Sequence, residues 1–369
     1  MSRPRVLAAG LGDTGLLTAI HLSRHADVVG VSAKPAHVSG QELGVRLTRP
    51  DDWSRDYRIA YERYRRLDDV RVVHGSLTGV DLDAREVGVL DVDGAERTEP
   101  YDILVIATGV TNGFWRRPDL ASSEQVDDAL RSQHDQIASA ASVIVIGGGA
   151  AAVSGAVNIA TTWPDKQVDL YFPGDRALPR HHPRVWPTNR ARLEEFGVGL
   201  HPGHRAVVPD GFACDAITTG RVTFSTGQEP ATAEAVLWTV GRVEPNTGWL
   251  PAEILTDDGF VRVDPDLSVP GYPGVFAIGD VAATDPLRTS ARNRADKLLA
   301  RNVRAHVDGR PLRTYRPPTA RWGSVVGPQH DGLTVFTASG RTVRFPAWST
   351  RVVLMDWITR RGIYKGVRS

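Results

Sequence analysis

Short apolar runs rich in Val and Ile alternate with stretches of helix length along the chain, the pattern of an α/β protein. They predict strands at Arg5–Ala9, Val28–Val31, Arg71–Val73 and Tyr101–Ala107, and again at Val143–Ile146, Val168–Phe172, Ala235–Val240 and Val275–Ile278. Helices are expected over Leu16–Arg24, from the glycine turn after Ile146 to near Ala160, and over Ala291–Val307. Two strand–turn–helix units thus open roughly 140 residues apart, as in a pair of nucleotide-type domains.

Turn-rich stretches mark the seams at Gly113–Asp119, Glu244–Pro251 and Gly309–Pro318. The last reads as an extended connector into a tail that carries Trp322, Trp348 and Trp357 and should fold. The uncharged run Ile137–Trp163 is long enough to span a bilayer. Small residues dominate it and GGGAAA breaks it, so a strand, a glycine turn and a helix explain it better.

Composition narrows the classes. With 41% hydrophobic and 24% charged residues, the 369-residue chain has the profile of a globular protein, not a disordered one. Its net charge of +1 provides no global field for nucleic acid or an anionic membrane. Cys214 is the only cysteine, which excludes an internal disulfide, a Cys-x-x-Cys pair, an iron–sulfur cluster and a cysteine-rich zinc site. Set among Phe212, Ala213 and Ile217, it should be buried and inert. His181-His182 has no carboxylate or cysteine at metal spacing and reads as an exposed loop, so no metal is expected. MSRPRVLAAG lacks the regions of a secretion signal, which points to the cytoplasm.

The first glycine turn is Gly10-Leu11-Gly12-Asp13-Thr14-Gly15, between a strand and a helix. Glycines at these spacings allow a tight turn, approach of a diphosphate, and close packing of helix on strand. The free N–H groups of the helix then face the anion. About 20 residues on, a carboxylate usually meets a ribose. Here Ser32-Ala33-Lys34 stands instead; Ser32 offers a hydroxyl and Lys34 a cation for phosphate. Asp13 inside the turn would repel an anion, so its side chain is expected to point away or to cap the helix. The second turn, Gly147-Gly148-Gly149-Ala150-Ala151-Ala152, matches GxGxxA. The strand after it ends in Phe172-Pro173-Gly174-Asp175-Arg176, again without the acidic residue. Phe172 offers a stacking face for adenine. Arg176, Arg180 and Arg184 either take a 2′-phosphate, which favours NADPH, or form a solvated face.

Asp264–Asp280 (DPDLSVPGYPGVFAIGD), Tyr101–Gly109 (YDILVIATG) and Ala235–Gly241 (AVLWTVG), in this order with the two glycine turns, resemble the FAD-dependent pyridine-nucleotide oxidoreductases. Within that group the chain is most similar to apoptosis-inducing-factor-like NAD(P)H oxidoreductases of the ferroptosis-suppressor type and to type II NADH:quinone oxidoreductases. The resemblance implies two Rossmann-like FAD/NAD(P)-binding domains, the second inserted in the first, plus a C-terminal segment. Residues 1–112 and 245–310 would hold FAD, 113–244 would be the NAD(P)-type domain, and 311–369 the added segment. Gly10, Gly12, Asp13, Thr14 and Gly15 would form the pyrophosphate turn, with Ser32, Lys34, Arg46 and Leu77 also near FAD. Thr108 and Gly109 would pass the flavin, Asp280 would bind the ribitol chain, and Gly279 would allow that approach. Gly147, Gly149, Ala152 and Gly241 would line the nicotinamide nucleotide. Arg288-Thr289-Ser290 precedes a helix whose N-terminus would stabilise flavin charge. Ser290 is thus a cofactor candidate. Arg288 is the catalytic candidate, or else a surface ion-pair partner.

Two positions depart from the family pattern. Ser154 stands where a Glu is common, and Phe172 replaces a second nicotinamide contact. The tail TRVVLMDWITRRGIYKGVRS interleaves basic and apolar residues. It is either an interfacial helix docked on an anionic membrane, as type II NADH dehydrogenases use, or a helix packed on the body or in a homodimer contact.

The expected activity is hydride transfer from NAD(P)H to FAD and on to a quinone-like or other small acceptor, in the cytoplasm or at the inner face of its membrane. Two alternatives stay open. One is a flavoenzyme of specialised metabolism acting directly on an organic substrate with a degenerate nicotinamide site. The other is a flavin-bound sensing or interaction protein.

Overall fold

A computed structural model describes residues 3–38, 43–111, 118–241, 243–284, 287 and 295–368. In chain order the elements are β1 (Arg5–Ala9), α1 (Asp13–Leu22), β2 (Asp27–Ser32), β3 (Ala36–Val38), α2 (Leu43–Thr48), α3 (Pro50–Tyr57), β4 (Arg58–Ala60), β5 (Val70–Asp81), β6 (Glu86–Asp91), β7 (Glu96–Pro100), β8 (Ile103–Ile106) and β9 (Val110–Thr111). There follow α4 (Ser123–Ser139), β10 (Ser142–Ile146), α5 (Ala150–Thr162), β11 (Gln167–Tyr171), α6 (Val185–Glu195), β12 (Gly199–His201), β13 (Thr218–Val222), β14 (Ala231–Trp238), β15 (Glu244–Pro245), β16 (Val275–Ala277), α7 (Ala295–Val307), β17 (Leu333–Phe336) and β18 (Thr342–Phe345).

The apolar runs become the centres of two sheets. The larger has the order β16-β8-β1-β2-β5-β6-β7, parallel from β16 to β5 and antiparallel beyond. The smaller has the order β12-β11-β10-β14-β13, parallel except for its β13 edge. Strands β1, β8, β10 and β14 are covered on both faces, which is why they read as unbroken hydrophobic runs rather than alternating ones. On one face of the larger sheet α1 buries Leu16, Leu17, Ala19, Ile20 and Leu22 against Ala295, Leu299, Ala300 and Val303 of α7. A doubly wound architecture is thereby built twice in one chain.

The units meet through helices. Gly44 of α2 lies so close to α5 that a Cβ there would stand 2.2 Å from the Ser154 carbonyl oxygen. The Gly44 N–H donates to the Ser154 hydroxyl at 3.3 Å. One turn on, the fully buried Asn158 donates to the Ser154 and Val326 carbonyls, both at 2.9 Å. Its own carbonyl accepts from Arg49 (3.2 Å) and from Gln329 (3.1 Å). Asn158 thus ties α5, the end of α2 and the C-terminal segment together.

Some elements differ from expectation. The first helix begins at Asp13, directly at the glycine turn, and β5 runs on to Asp81 as one arm of a β-meander. Helix α4 buries only Leu130 and Ile137, too few apolar positions for a periodic signal. Its start is nevertheless written in sequence. Ser122 and Gln125 form a capping box, each side chain bonded to the other's backbone N–H. The tail folds as expected, into the β17–β18 hairpin and a wide-turned helix over Thr350–Ile363. No helix among the described residues is long and apolar enough to cross a membrane.

Glu99 of β7 joins the first sheet's strands by accepting from Arg71 on β5 and Arg5 on β1. The Arg71 hydrogen bond, then the charges of Arg71 and Arg5, hold its carboxyl below the usual glutamate range. A lowered folded-state pKa adds stability that is present above the unfolded value and lost as pH falls through the folded one. Glu99→Gln should therefore cost about 1 kcal/mol at pH 7, since Arg71 is half exposed. The difference should begin to shrink below the usual glutamate pKa of about 4 and vanish only below the lowered folded value. Denaturant midpoints at neutral and acid pH test this; an undiminished gap in acid would refute it.

Candidate functional site

Both glycine turns follow the strand at which a sheet's order reverses. β1 lies between β8 and β2, and β10 between β14 and β11. Such switch points leave a crevice beyond the carboxyl ends of the strands. The local wiring is repeated: the Gly10 N–H donates to Val31 (3.0 Å) and the Gly147 N–H to Tyr171 (2.9 Å), each at the end of the neighbouring strand. The crevices join into one cavity of about 1610 Å³. That exceeds the usual size of a pocket for one small ligand.

Three glycines of the first turn have separate jobs. Gly10 has φ +103°, and a Cβ on it would strike the Ala107 carbonyl at 2.6 Å. A Cβ on Gly15 would stand 1.9 Å from the Gly10 carbonyl oxygen, so this position brings helix onto turn. Gly12 is different: a Cβ there meets nothing within 4 Å and would project into the crevice. That empty cradle, below the free N–H groups of α1, suits the diphosphate of FAD.

Gly10, Gly12, Asp13, Thr14, Ser32, Lys34, Arg46, Leu77, Thr108, Gly109, Gly149, Gly241, Gly279 and Asp280 all line the cavity. Gly15, Gly147 and Ala152 stand behind the wall as packing positions; Ala152 is fully buried in the second unit's core. Arg288 and Ser290 lie outside the described residues. At the end of β2 the Ser32 hydroxyl is bonded to the Lys34 backbone and faces the Tyr61 hydroxyl at 2.9 Å. The Lys34 ammonium donates to the Asp119 carbonyl; burial lowers its pKa, opposed by the Asp119 charge. Arg46 is buried with its guanidinium 5.0 Å from the Trp53 ring centre. Asp13 is turned aside from the turn, its carboxylate accepting from His37 at 3.0 Å. It does not cap α1.

Thr108 and Gly109 occupy the crossing between the units. The Thr108 hydroxyl donates to the Asn246 carbonyl (2.8 Å), and the Asn246 amide donates back to Thr108 (3.1 Å). β9 and β15 pair antiparallel beside them. Gly279, with φ +81°, leaves room for Thr14, whose hydroxyl would be 2.9 Å from a Cβ there.

Two expectations need correction. Phe172 offers no stacking face, because its side chain is buried edge-on against Trp186 instead of lining the cavity. His181 is not a loop residue in solvent. It lines the cavity, and burial, then the charges of Arg321 and Arg176, push its pKa down to about 4. Its Nδ1 is buried without a hydrogen-bond partner. Arg176 and Arg321 lie near His181, and Arg180 and Arg205 also line the cavity, whereas Arg184 is exposed and outside it. The carboxylates of the described wall are Asp13, Asp119, Glu244 and Asp280. Cys214 is buried as expected, yet it reaches the cavity wall.

Sequence reading missed Arg205, Asn246, Arg321 and Trp322 in the wall, and His37 behind it. Arg321 and Trp322 arrive only through tertiary folding of the C-terminal segment, and no local motif marks them. Asn246 was within reach, in the turn Glu244-Pro-Asn-Thr that follows the second unit's last apolar run.

A family model described as pyridine nucleotide-disulphide oxidoreductase matches residues 5–303. Ferroptosis suppressor protein 1 of Homo sapiens is 27% identical over 301 residues, 78% of each chain. The type II NADH:quinone oxidoreductase Ndh of Mycobacterium tuberculosis is 27% identical over 351 residues, 83% of this chain and 73% of that one. The structure of NDH2 from Plasmodium falciparum in complex with NADH superposes with a TM-score of 0.61 at 14% identity. It covers 76% of this chain, which spans only 64% of that protein's length.

The cradle makes a sharp contrast between two glycines. Gly12→Val should fold with an unchanged melting temperature in the cofactor-free state but purify without bound dinucleotide, because the new methyls fill the crevice. Gly15→Val should lower the melting temperature itself, at a cost of about 3 kcal/mol or more. Absorbance of bound cofactor and thermal melts of both variants decide it; cofactor retained by Gly12→Val would refute the cradle.

Proposed function

This chain belongs to the pyridine nucleotide-disulphide oxidoreductase family, an enzyme that uses FAD and NAD(P)H, and from that premise we propose that it passes reducing equivalents from NADPH, in preference to NADH, to a quinone-like small acceptor. The observation that carries the reading is the single large cavity into which both switch-point turns open. Its fit to FAD rests on the Gly12 cradle and on the wall residues of the first unit. We assign FAD to residues 1–112 and 245–310, the nicotinamide nucleotide to 113–244, and part of the acceptor's wall to the segment 311–369.

Bound FAD supplies a two-electron carrier between a reduced nicotinamide and a second small molecule. Around it, the N–H groups at the start of α1 oppose diphosphate charge, and Gly279 leaves room for Asp280 to accept from a ribitol hydroxyl. Arg46, buried against Trp53, holds a fixed cation in the wall. Thr108, Gly109 and Asn246 fix the crossing at which the two ligands would meet. Hydride transfer needs contact of the reacting atoms at about 3–3.5 Å with water excluded, not a general acid. The wall arginines Arg176, Arg180, Arg205 and Arg321 support the phosphate of NADPH, and Arg176 and Arg321 lie near His181, whose lowered pKa comes first from burial and then from their charges.

A second reading has an observation of its own. Ser154 lines the cavity with a short hydroxyl that accepts from the Gly44 N–H, where the family pattern commonly has a Glu, and this favours a middle unit that has given up the usual nicotinamide contact. For the tail we propose contact with an anionic bilayer, since Trp348 and Trp357 are 75% and 63% exposed near Arg360 and Arg361. The type II Ndh relative acts on a quinone by its name, which accords with a membrane-dissolved acceptor.

Mixed anaerobically, the yellow protein should bleach faster with NADPH than with NADH, and a short-chain quinone should restore its colour. Arg176→Ala should cut the NADPH advantage about tenfold with the NADH rate unchanged. Equal rates for both nucleotides would refute the phosphate assignment, and no bleaching with flavin retained would favour the second reading. The wild-type chain should float with phosphatidylglycerol vesicles and Trp348→Ser/Trp357→Ser should not. Equal flotation of both would end the membrane proposal, and loss of a dimer in the variant would reassign the face to self-association.

A further inference from the structure

Asp13 is an anion placed in an anion-binding turn. It is the first residue of α1, and its carboxylate is within reach of two sets of donors. One set is the N–H groups of the first turn of its own helix, which attract an acidic side chain there. Those are the groups a diphosphate needs. A carboxylate that took them would block the site by occupation and repel the ligand by charge.

The other set is what the structure uses. Asp13 Oδ1 accepts from His37 Nε2 at 3.0 Å and from the Tyr364 hydroxyl at 3.3 Å. His37 is 1% exposed, and its Nδ1 faces the Tyr64 hydroxyl at 2.9 Å. With the Tyr64 hydroxyl donating to Nδ1, an Nε2–H is directed at Asp13. The rings of His37, Tyr64 and Tyr364 pack edge to face, with centroids 5.3–6.1 Å apart. This arrangement depends on a distant piece of chain. Tyr364 is positioned because the last residues are laced along residues 61–68. Arg65 N–H donates to the Gly366 carbonyl (3.1 Å) and Arg368 N–H to the Arg63 carbonyl (2.7 Å). The Arg368 guanidinium grips Asp68 at 2.8 and 2.6 Å.

We propose that His37 and Tyr364 are positioning residues that hold the Asp13 carboxylate off the N–H groups of the first glycine turn, so that the C-terminal end of the chain sets how tightly FAD is retained. The inference rests on FAD occupying that turn. It assigns a purpose to a residue that is otherwise wrong for its place, and it makes the tail part of the cofactor site.

The test reads FAD release from the purified holoprotein by flavin fluorescence on dilution, beside a thermal melt. Tyr364→Phe should raise the FAD dissociation constant about tenfold, the worth of one hydrogen bond to a charged group. Asp13→Asn alone should bind FAD as well as wild type or better. Tyr364→Phe combined with Asp13→Asn should return to the Asp13→Asn value, because without the charge there is nothing to restrain. His37→Gln, read in the same way with and without Asp13→Asn, stands in if Tyr364→Phe fails to fold. A Tyr364→Phe protein that keeps FAD like wild type overturns the proposal. So does a double variant as weak as Tyr364→Phe, which would mark Tyr364 as packing only. Wild-type protein that holds no FAD would sink the cofactor assignment itself, a result separable from either.

Discussion

The site depends on keeping the N-terminus of α1 both close to β1 and open to solvent. Closeness comes from Gly15, where any side chain would collide with the Gly10 carbonyl and Ala107. Openness comes from the absence of a side-chain cap on α1. These two demands conflict with ordinary helix chemistry, in which a polar residue satisfies the first N–H groups and adds about 1 kcal/mol. The turn gives up that stability and leaves its donors for a ligand. The second unit repeats the bargain at Gly149, where no side chain caps α5. Uncapped helix ends at two switch points are therefore a single architectural decision made twice.

The units are joined beside Ser154. α2 of the first unit packs on α5 of the second, and Gly44 permits the approach. The contact is hydrogen-bonded: the Ser154 hydroxyl accepts from Gly44, and Asn158 bonds to Ser154, Val326, Arg49 and Gln329. Ser154 also lines the cavity, so this joint borders the site. The same joint captures Val326 and Gln329, so the C-terminal segment is fixed where Arg321 and Trp322 can enter the cavity wall.

The strands that the chain announces are those covered on both faces, such as β1 and β10, because burial there demands an uninterrupted apolar run. Elements with a thin contact face stayed hidden; α4 buries two side chains and α6 is nearly as polar. In the site, the glycine turns were legible from spacing, while Thr108 and Asp280 came from the family resemblance; all of them open on or border the cavity. His37, Asn246, Arg321 and Tyr364 were not legible, since each acquires its role from a partner far away in sequence: Tyr364 lies 351 positions from the carboxylate it meets. The Phe172 error has the same origin. Sequence shows that an aromatic ends β11, but which way the ring turns is settled by Trp186.

Net charge conceals the electrostatics of this molecule. A balance of +1 spread evenly would leave the cavity featureless. Instead the wall carries Asp13 and Asp280 from the first unit and Asp119 and Glu244 from the second, while Arg176 and Arg321 act on His181 and Arg180 and Arg205 also line the cavity. Arginine held in an enclosed space is poorly screened by salt, so that end of the cavity is at positive potential even though the whole chain is nearly neutral. The pKa of His181 is held down first by its burial there and then by the charges of Arg321 and Arg176. A ligand bridging both ends would have to carry its hydroxyl-rich portion toward the aspartates and its phosphates toward the helix termini and arginines, which is how charge is distributed along a pair of dinucleotides laid tail to tail.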